Sequence, residues 1–346
     1  MQRALRPLDH LMTLTDDVGV LQHATENVPN RSEGYCTDDV ARALIVAIAR
    51  LRLVPGGESA GTLASTYLAF LEHAQREDGR FRNFMSYDRH WLEDVGSQDS
   101  NARALWGLGY AMRYAPDERW RRVAQRLFRR GASACDWLNH PLSEAYATLG
   151  LAHAVAVHAG YLPVLRLLAQ RLLERLAANT EPGWTWFAQA MTYDVGRLPE
   201  AVVRAGIALK DELLIEGGRK ALAFYEGVAF EGRIFVPIGN RGWYERGGAR
   251  ARYDQQPLEA AAMVGAELAV FEATGSTEAR AAARAAMAWY EGANSEGIVM
   301  EHGGGCYDGL GAGCANRNMG AESTLSLLSA AYALSVRQRS SIAIAR

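Results

Sequence analysis

Along this chain, polar clusters carrying acidic residues alternate with alanine-rich apolar runs, and the alternation occurs six times. The runs read TDDVARALIVAIA at 37–49, QDSNARALWGLGYAM at 98–112, LSEAYATLGLAHAVAV at 142–157, LPEAVVRAGIAL at 198–209, PLEAAAMVGAELAVF at 257–271 and GAESTLSLLSAAYAL at 320–334. They are apolar nearly all round, as expected of helices touched on both sides. Between them lie more charged stretches at 63–78, 119–131, 161–178, 211–227 and 277–292, preceded by a first one over roughly 6–24. Their apolar residues recur at i, i+3, i+4 and i+7, the mark of a helix with one buried face. Segments rich in glycine and aromatics at 77–91, 181–196, 230–248 and 294–313 join outer to inner helix and read as short strands or hairpins.

Six helical pairs that each bury an apolar stripe predict an all-α (α/α)6 barrel of six inner and six outer helices. It is expected to span 1–346 as a single domain. An open solenoid would show more uniform repeats and a polar cap at each end. The polar start of every inner helix then faces one shared mouth, and the rim loops land at that same end.

Composition narrows the function. The apolar fraction is 49%, ample for a large core, and 37 basic residues against 39 acidic ones give a net charge of −2, which offers nothing to a polyanion. No nucleic-acid partner is expected. The basic run Arg119, Arg121, Arg122, Arg126, Arg129 and Arg130 reads as a solvated helix face. The four cysteines make no CxxC pair, the N-terminus shows no signal-peptide pattern, and no apolar run reaches the ~20 residues of a membrane span. A cytoplasmic protein without membrane contact is expected.

The chemistry at the mouth is carboxylic. Asp38 and Asp99 begin adjacent inner helices, and neighbouring helices pack ~8–10 Å apart. That suits glycoside hydrolysis, in which one carboxyl protonates the leaving oxygen and another activates water, ~6.5–9.5 Å away in an inverting enzyme. The alternative role for an acid at a helix start is to cap free N–H groups and complement the dipole. For Glu144, Glu200, Glu259 and Glu322, capping is the expected role. Asp38 and Asp99 each have a second polar neighbour able to cap, which frees them for catalysis. Asp39, Glu33, Gln98, Asp254, Gln255, His302, Asn318 and Glu322 are candidate polar contacts to sugar hydroxyls. Tyr35, Trp186, Tyr193, Trp243 and Tyr244 are candidate stacking faces for sugar rings, whereas Trp106 and Trp184 are candidates for the core. Arg241 is a candidate partner for a uronate carboxylate.

These acids and the six-hairpin pattern resemble the six-hairpin glycosidase superfamily, which includes unsaturated glucuronyl and rhamnogalacturonyl hydrolases. The resemblance implies that two aspartates at inner-helix starts, here Asp38 or Asp39 and Asp99, carry the reaction. LTDDVGVLQHATENVPNRSEGYCTDDVARAL also resembles an uncharacterised domain that accompanies bacterial glycosyltransferases, which implies a link to carbohydrate metabolism and to such an enzyme as partner. The expected function is therefore an inverting glycoside hydrolase acting on short oligosaccharides, without a cofactor or metal. The alternatives are a non-catalytic sugar-binding or regulatory partner of a glycosyltransferase, a phosphorylase, or an epimerase using histidines such as His23, His140 or His302. A zinc site from Cys36, His302, Cys306 and Cys314 has no recognised spacing. The match Gly57-Glu58-Ser59-Ala60-Gly61 lacks the strand that a nucleophile elbow needs.

Overall fold

The computed structural model describes residues 5–344. Among the described residues, twelve α-helices account for the predicted pairs: α1 Asp9–Leu14, α2 Thr37–Leu53, α3 Glu58–Ala74, α4 Gln98–Tyr114, α5 Glu118–Ala132, α6 Pro141–Ala154, α7 Leu162–Asn179, α8 Arg197–Leu209, α9 Glu212–Ala229, α10 Pro257–Thr274, α11 Thr277–Ala288 and α12 Ala321–Ile344. The even-numbered helices are the inner ones. Each packs on the next, and α12 returns to α2, so the ring is closed. This is the (α/α)6 barrel.

The small residues of the inner helices set how closely they approach. A Cβ on Gly109 of α4 would stand 2.2 Å from the Gly150 carbonyl oxygen of α6, and one on Gly107 would stand 2.6 Å from the Ala41 oxygen of α2. The outer helices behave as their patterning predicts. In α5 the buried residues are Ala124, Leu127, Phe128, Gly131 and Ala132. Its arginines face outward, where Arg122 meets Glu118 at 3.0 Å and Arg126 meets Glu72 at 2.5 Å.

The first outer helix is much shorter than the predicted 6–24. It ends at Leu14, because the Asp16 carboxylate accepts the backbone N–H groups of Val18 and Gly19 and turns the chain. The chain then forms a tight hairpin pairing Ala24–Thr25 with Val28–Pro29. The rim loops do contain the expected short strands. Tyr35–Cys36 pairs with Phe84–Met85, and Ala190–Met191 pairs with Tyr244–Glu245. Glu301–His302 pairs with Gly305–Cys306, and Gly309–Gly311 pairs with Cys314–Asn316. The first two of these pairings join separate hairpins, so the rim is tied across the helical repeat as well as along it. Among the described residues, no helix is long and apolar enough to cross a membrane.

Candidate active site

The inner helices begin at one end of the barrel, and their first turns hold a connected set of charges. Two arginines organise it. Arg42 of α2 gives Nη2 to Asp39 at 2.5 Å and Nη1 to Glu322 of α12 at 3.0 Å. Arg103 of α4 has a side chain only 3% exposed. It meets Asp38 at 3.4 Å, the Tyr146 hydroxyl at 2.7 Å and the Tyr193 hydroxyl at 3.0 Å. Tyr193 in turn donates to Glu322 at 2.8 Å, which links the two arginine clusters. Tyr146 donates to Asp194 at 2.6 Å.

The network continues down the barrel axis. Asp194 faces Arg197 at 3.5 Å, Arg197 bonds Glu200 at 2.6 Å, and Glu200 accepts from Arg204 at 2.9 Å. Buried charges cost several kcal/mol each unless paired, and here almost every one is answered by the next.

Four acids expected to cap their own helices split between other tasks. Glu144 lies under Arg175 at 2.9 Å and Glu200 lies between two arginines. Glu259 of α10 accepts the Asp194 backbone N–H at 2.6 Å, so it braces the neighbouring rim loop. Glu322 belongs to the charged centre. On α4, Ser97 caps by accepting the Ser100 N–H at 3.1 Å, which leaves the Asp99 side chain for other contacts. On α2, Cys36 stands at the cap position without accepting a helix N–H through its side chain, and Asp38 accepts the Asp39 N–H at 3.0 Å.

Asp38 and Asp99 both sit on this rim with their side chains 21% and 32% exposed. They engage different partners: Asp38 faces Arg103, whereas Asp99 accepts from the Ser143 hydroxyl and lies 3.9 Å from the His140 ring. The sequence reading missed Arg42, Arg103 and a further carboxyl, Asp308. Asp308 is half-buried in the 309–316 hairpin region, with the side-chain amides of Asn316 and Asn318 each 3.5 Å away.

The charges sort these carboxyls. Burial opposes ionisation at Asp38, but the Arg103 and Arg42 guanidiniums outweigh it and hold Asp38 below the ordinary aspartate value. Glu322 is lowered in the same way by Arg42 and Arg103 against its burial. Burial, aided by Glu322, pushes Asp308 up to about 6. Burial together with the Asp38 and Glu322 charges pushes Asp39 up to about 6, against the pull of Arg42.

Cys36, Asp38 and Asp39 bring their ligand atoms within 4.8 Å of one another, the one such metal-like cluster among the described residues. The donor set does not suit a cation. Burial raises the Cys36 thiol well above its ordinary value and it donates to Asp39 at 3.0 Å, while Arg42 already occupies Asp39. The four residues weighed for zinc in the sequence form no cluster among the described residues: Cys36 and Cys306 are buried, Cys314 is exposed, and His302 bonds the Val299 carbonyl at 3.1 Å.

Several predicted sugar contacts are in the wrong place. Trp186 is fully buried against Phe187 and Tyr225, because its loop folds under the rim. Tyr35 is 1% exposed and spends its hydroxyl on Asp16 at 2.6 Å. Gln255 is completely buried between Trp289 and Ser295. Arg241 is committed to Asp254 at 2.9 Å, which removes both as free charges. Gln98 ties two hairpins together by accepting from the Asn139 and His140 backbone.

Tyr193 is the one stacking candidate that touches the charged centre. Trp243 and Tyr244 are half-buried, the latter against the core residue Trp184. Trp106, expected in the core, is half-exposed and carries the Arg197 guanidinium on its face, 4.8 Å from the ring centre. Glu33 and His302 are exposed, and Asn318 holds the Ala24 N–H at 2.8 Å beside His23.

No protein-family model matches the chain, and no curated protein matches it. Solved structures do. A sugar epimerase from a ruminal bacterium superposes with a TM-score of 0.75 at 11% identity, covering 96% of both chains. Cellobiose 2-epimerase from Bacillus thermoamylovorans gives 0.75 at 13% identity, again over 96% of both chains. A GH76A α-1,6-mannanase from Salegentibacter gives 0.64 at 14% identity, over 94% of this chain and 96% of the mannanase. These likenesses show that the chain shares the fold of these enzymes, the (α/α)6 barrel.

Proposed function

We propose that the chain is a carbohydrate-active enzyme, and more narrowly a glycoside hydrolase working with carboxyl groups on the barrel rim. The observation that carries this reading is the sorting of carboxyls around the Arg42–Arg103 centre. Asp38 and Glu322 are held ionised, while Asp308 and Asp39 keep a proton toward pH 6. Glycosidic cleavage needs one carboxyl in each state.

Asp38 is assigned as the base or nucleophile. Asp308 is assigned as the proton donor, since Asp39 is 4% exposed and clamped by Arg42. Asp99, one hairpin away, is assigned to position the substrate or water. Tyr193 and the six helix N-termini around the mouth complete a site suited to polar, hydroxyl-rich ligands.

A second reading, sugar epimerisation, is favoured by the likeness to two epimerases at a TM-score of 0.75. It needs groups that take a proton from a carbon beside a carbonyl and return it. The histidines expected for that role have separate partners: among the described residues His23 meets Asn318, His140 meets Asp99, and His302 bonds the Val299 carbonyl.

The test is to incubate the protein with a panel of oligosaccharides, with and without phosphate, and to follow new reducing ends and epimers by NMR. Hydrolysis that Asp38→Asn and Asp308→Asn remove supports the proposal. Epimer formation without bond cleavage overturns it.

A further inference from the structure

The large cavity of the barrel is not at the acidic rim. It holds about 730 Å³ along the axis and is walled by all six inner helices, from Arg42 and Arg197 down to their C-terminal ends at Arg52, Tyr114, Ala156, Glu272 and Arg337. Arg113 and Ala156 are exposed, so it opens on the face opposite the mouth. That volume lies within the range of small-molecule sites.

Its charge is lopsided. Six arginines line it against three carboxylates, Asp194, Glu200 and Glu272. Glu272 is shared by Arg204, at 3.1 Å, and Arg337. Arg52 and Arg113 meet no carboxylate among the described residues. Arg52 donates to the Tyr110 hydroxyl at 3.0 Å, and both guanidiniums converge on the Tyr114 ring, 3.9 and 4.9 Å from its centre. Beside them His153 is 9% exposed and its Nδ1 has no hydrogen-bond partner, although it lines the cavity. A buried polar atom without a partner is costly. Burial and the arginines 204, 113, 52 and 337 hold this ring neutral, well below the ordinary histidine value, which places four guanidiniums around it.

We propose that this end of the barrel binds a sugar-sized small molecule carrying an anionic group, a phosphorylated or carboxylated sugar. Arg52 and Arg113 supply the unanswered charge, and planar guanidiniums match phosphate and carboxylate oxygens in pairs. The Tyr110 and Trp106 rings and the apolar wall from Leu268, Ile207 and Ala333 suit a sugar's C–H faces. Arg42, Asp194 and Arg197 of the rim network line the inner end of the cavity, whereas Arg52 and Arg113 lie about three turns further along α2 and α4, so their anion site does not depend on the hydrolase assignment.

Binding is read by thermal shift and calorimetry on the full-length protein, with inorganic phosphate, glucose 6-phosphate, glucuronate and uncharged glucose as probes. Glucose 6-phosphate or glucuronate should raise the Tm, with an effect that weakens as salt is added, while glucose should not. Which of the two acts distinguishes phosphate from carboxylate. The Arg52→Gln/Arg113→Gln double variant should weaken binding at least tenfold. Arg113→Gln alone, at an exposed position, should weaken it measurably, which guards against misfolding of the double variant. Asp38→Asn should bind as the wild type does. No shift with either anionic sugar, an equal shift with glucose, or unchanged binding in folded arginine variants would overturn the proposal. In that event the arginines serve only to complement the C-terminal ends of the inner helices.

Discussion

The two ends of the barrel answer the same problem, charge inside a helical ring, in opposite ways. At the end where the inner helices begin, Arg42 and Arg103 bond Asp38, Asp39, Glu322, Tyr146 and Tyr193, and these bonds tie neighbouring helices together. At the end where they stop, Arg52 and Arg113 find tyrosine rings instead of carboxylates, and the space is left open. The lesson is that a dense network polarises a few carboxyls, whereas a sparse one leaves charge available to a ligand. Chemistry is thereby assigned to the crowded end and binding to the end with the cavity.

The largest effect expected from breaking this contrast is on turnover. Asp38→Asn removes the ionised rim carboxyl and should lower hydrolysis by about 10²-fold or more, with Tm nearly unchanged because the amide still accepts from Arg103. Asp308→Asn should act on the pH profile as well. Activity that needs Asp38 ionised and Asp308 protonated falls as pH rises through about 6, and in Asp308→Asn the residual rate should lose that fall. A profile still falling near 6 in the variant would move the donor role to Asp39.

Arg103→Leu attacks the layer dividing the two ends. It removes the cation that Asp38 and Asp194 share, and should cost about 3–5 kcal/mol by chemical denaturation. A loss under 1 kcal/mol would mean the network is dispensable. Gly109→Ala probes the ring itself. Its Cβ would meet the Gly150 carbonyl oxygen at 2.2 Å, and separating α4 from α6 should cost about 1–3 kcal/mol.

The smallest effect is at Glu267 of α10, buried beside Glu226 and pushed up to about 10 mainly by burial. Its folded-state value lies above that of the unfolded chain. Between roughly pH 5 and 9 the folded protein therefore keeps a proton that the unfolded chain releases, and stability declines as pH rises. Glu267→Gln should raise Tm by about 1–3 °C at pH 8 and by less at pH 5, measured by calorimetry.

The barrel was legible because its signal is repeated six times and rests on burial, which periodicity reports directly. The rim placement of Asp38, Asp99 and Glu322 followed from the same register. What escaped was everything that depends on neighbours across the ring. Arg42 and Arg103 were visible as the shared ARAL of DVARAL and SNARAL, a charge inside a helix otherwise read as buried, and a buried guanidinium demands acids close by. Asp308 was hidden in a glycine-rich hairpin whose position over Glu322 no local pattern encodes. Trp186 was misplaced because a loop rich in glycine and tryptophan reads as exposed, and nothing in its spacing reveals that it tucks beneath the rim. The cavity at the far end depends on side chains from six helices together, which no single segment announces.

The central claim is that the rim carboxyls carry the reaction, and its most direct measurement is the rate of glycosidic bond cleavage by wild type and Asp38→Asn on the oligosaccharide panel, with Tm recorded for both. The account predicts a wild-type rate that falls by about 10²-fold or more in the variant at matched stability. A folded Asp38→Asn protein with wild-type turnover would contradict it.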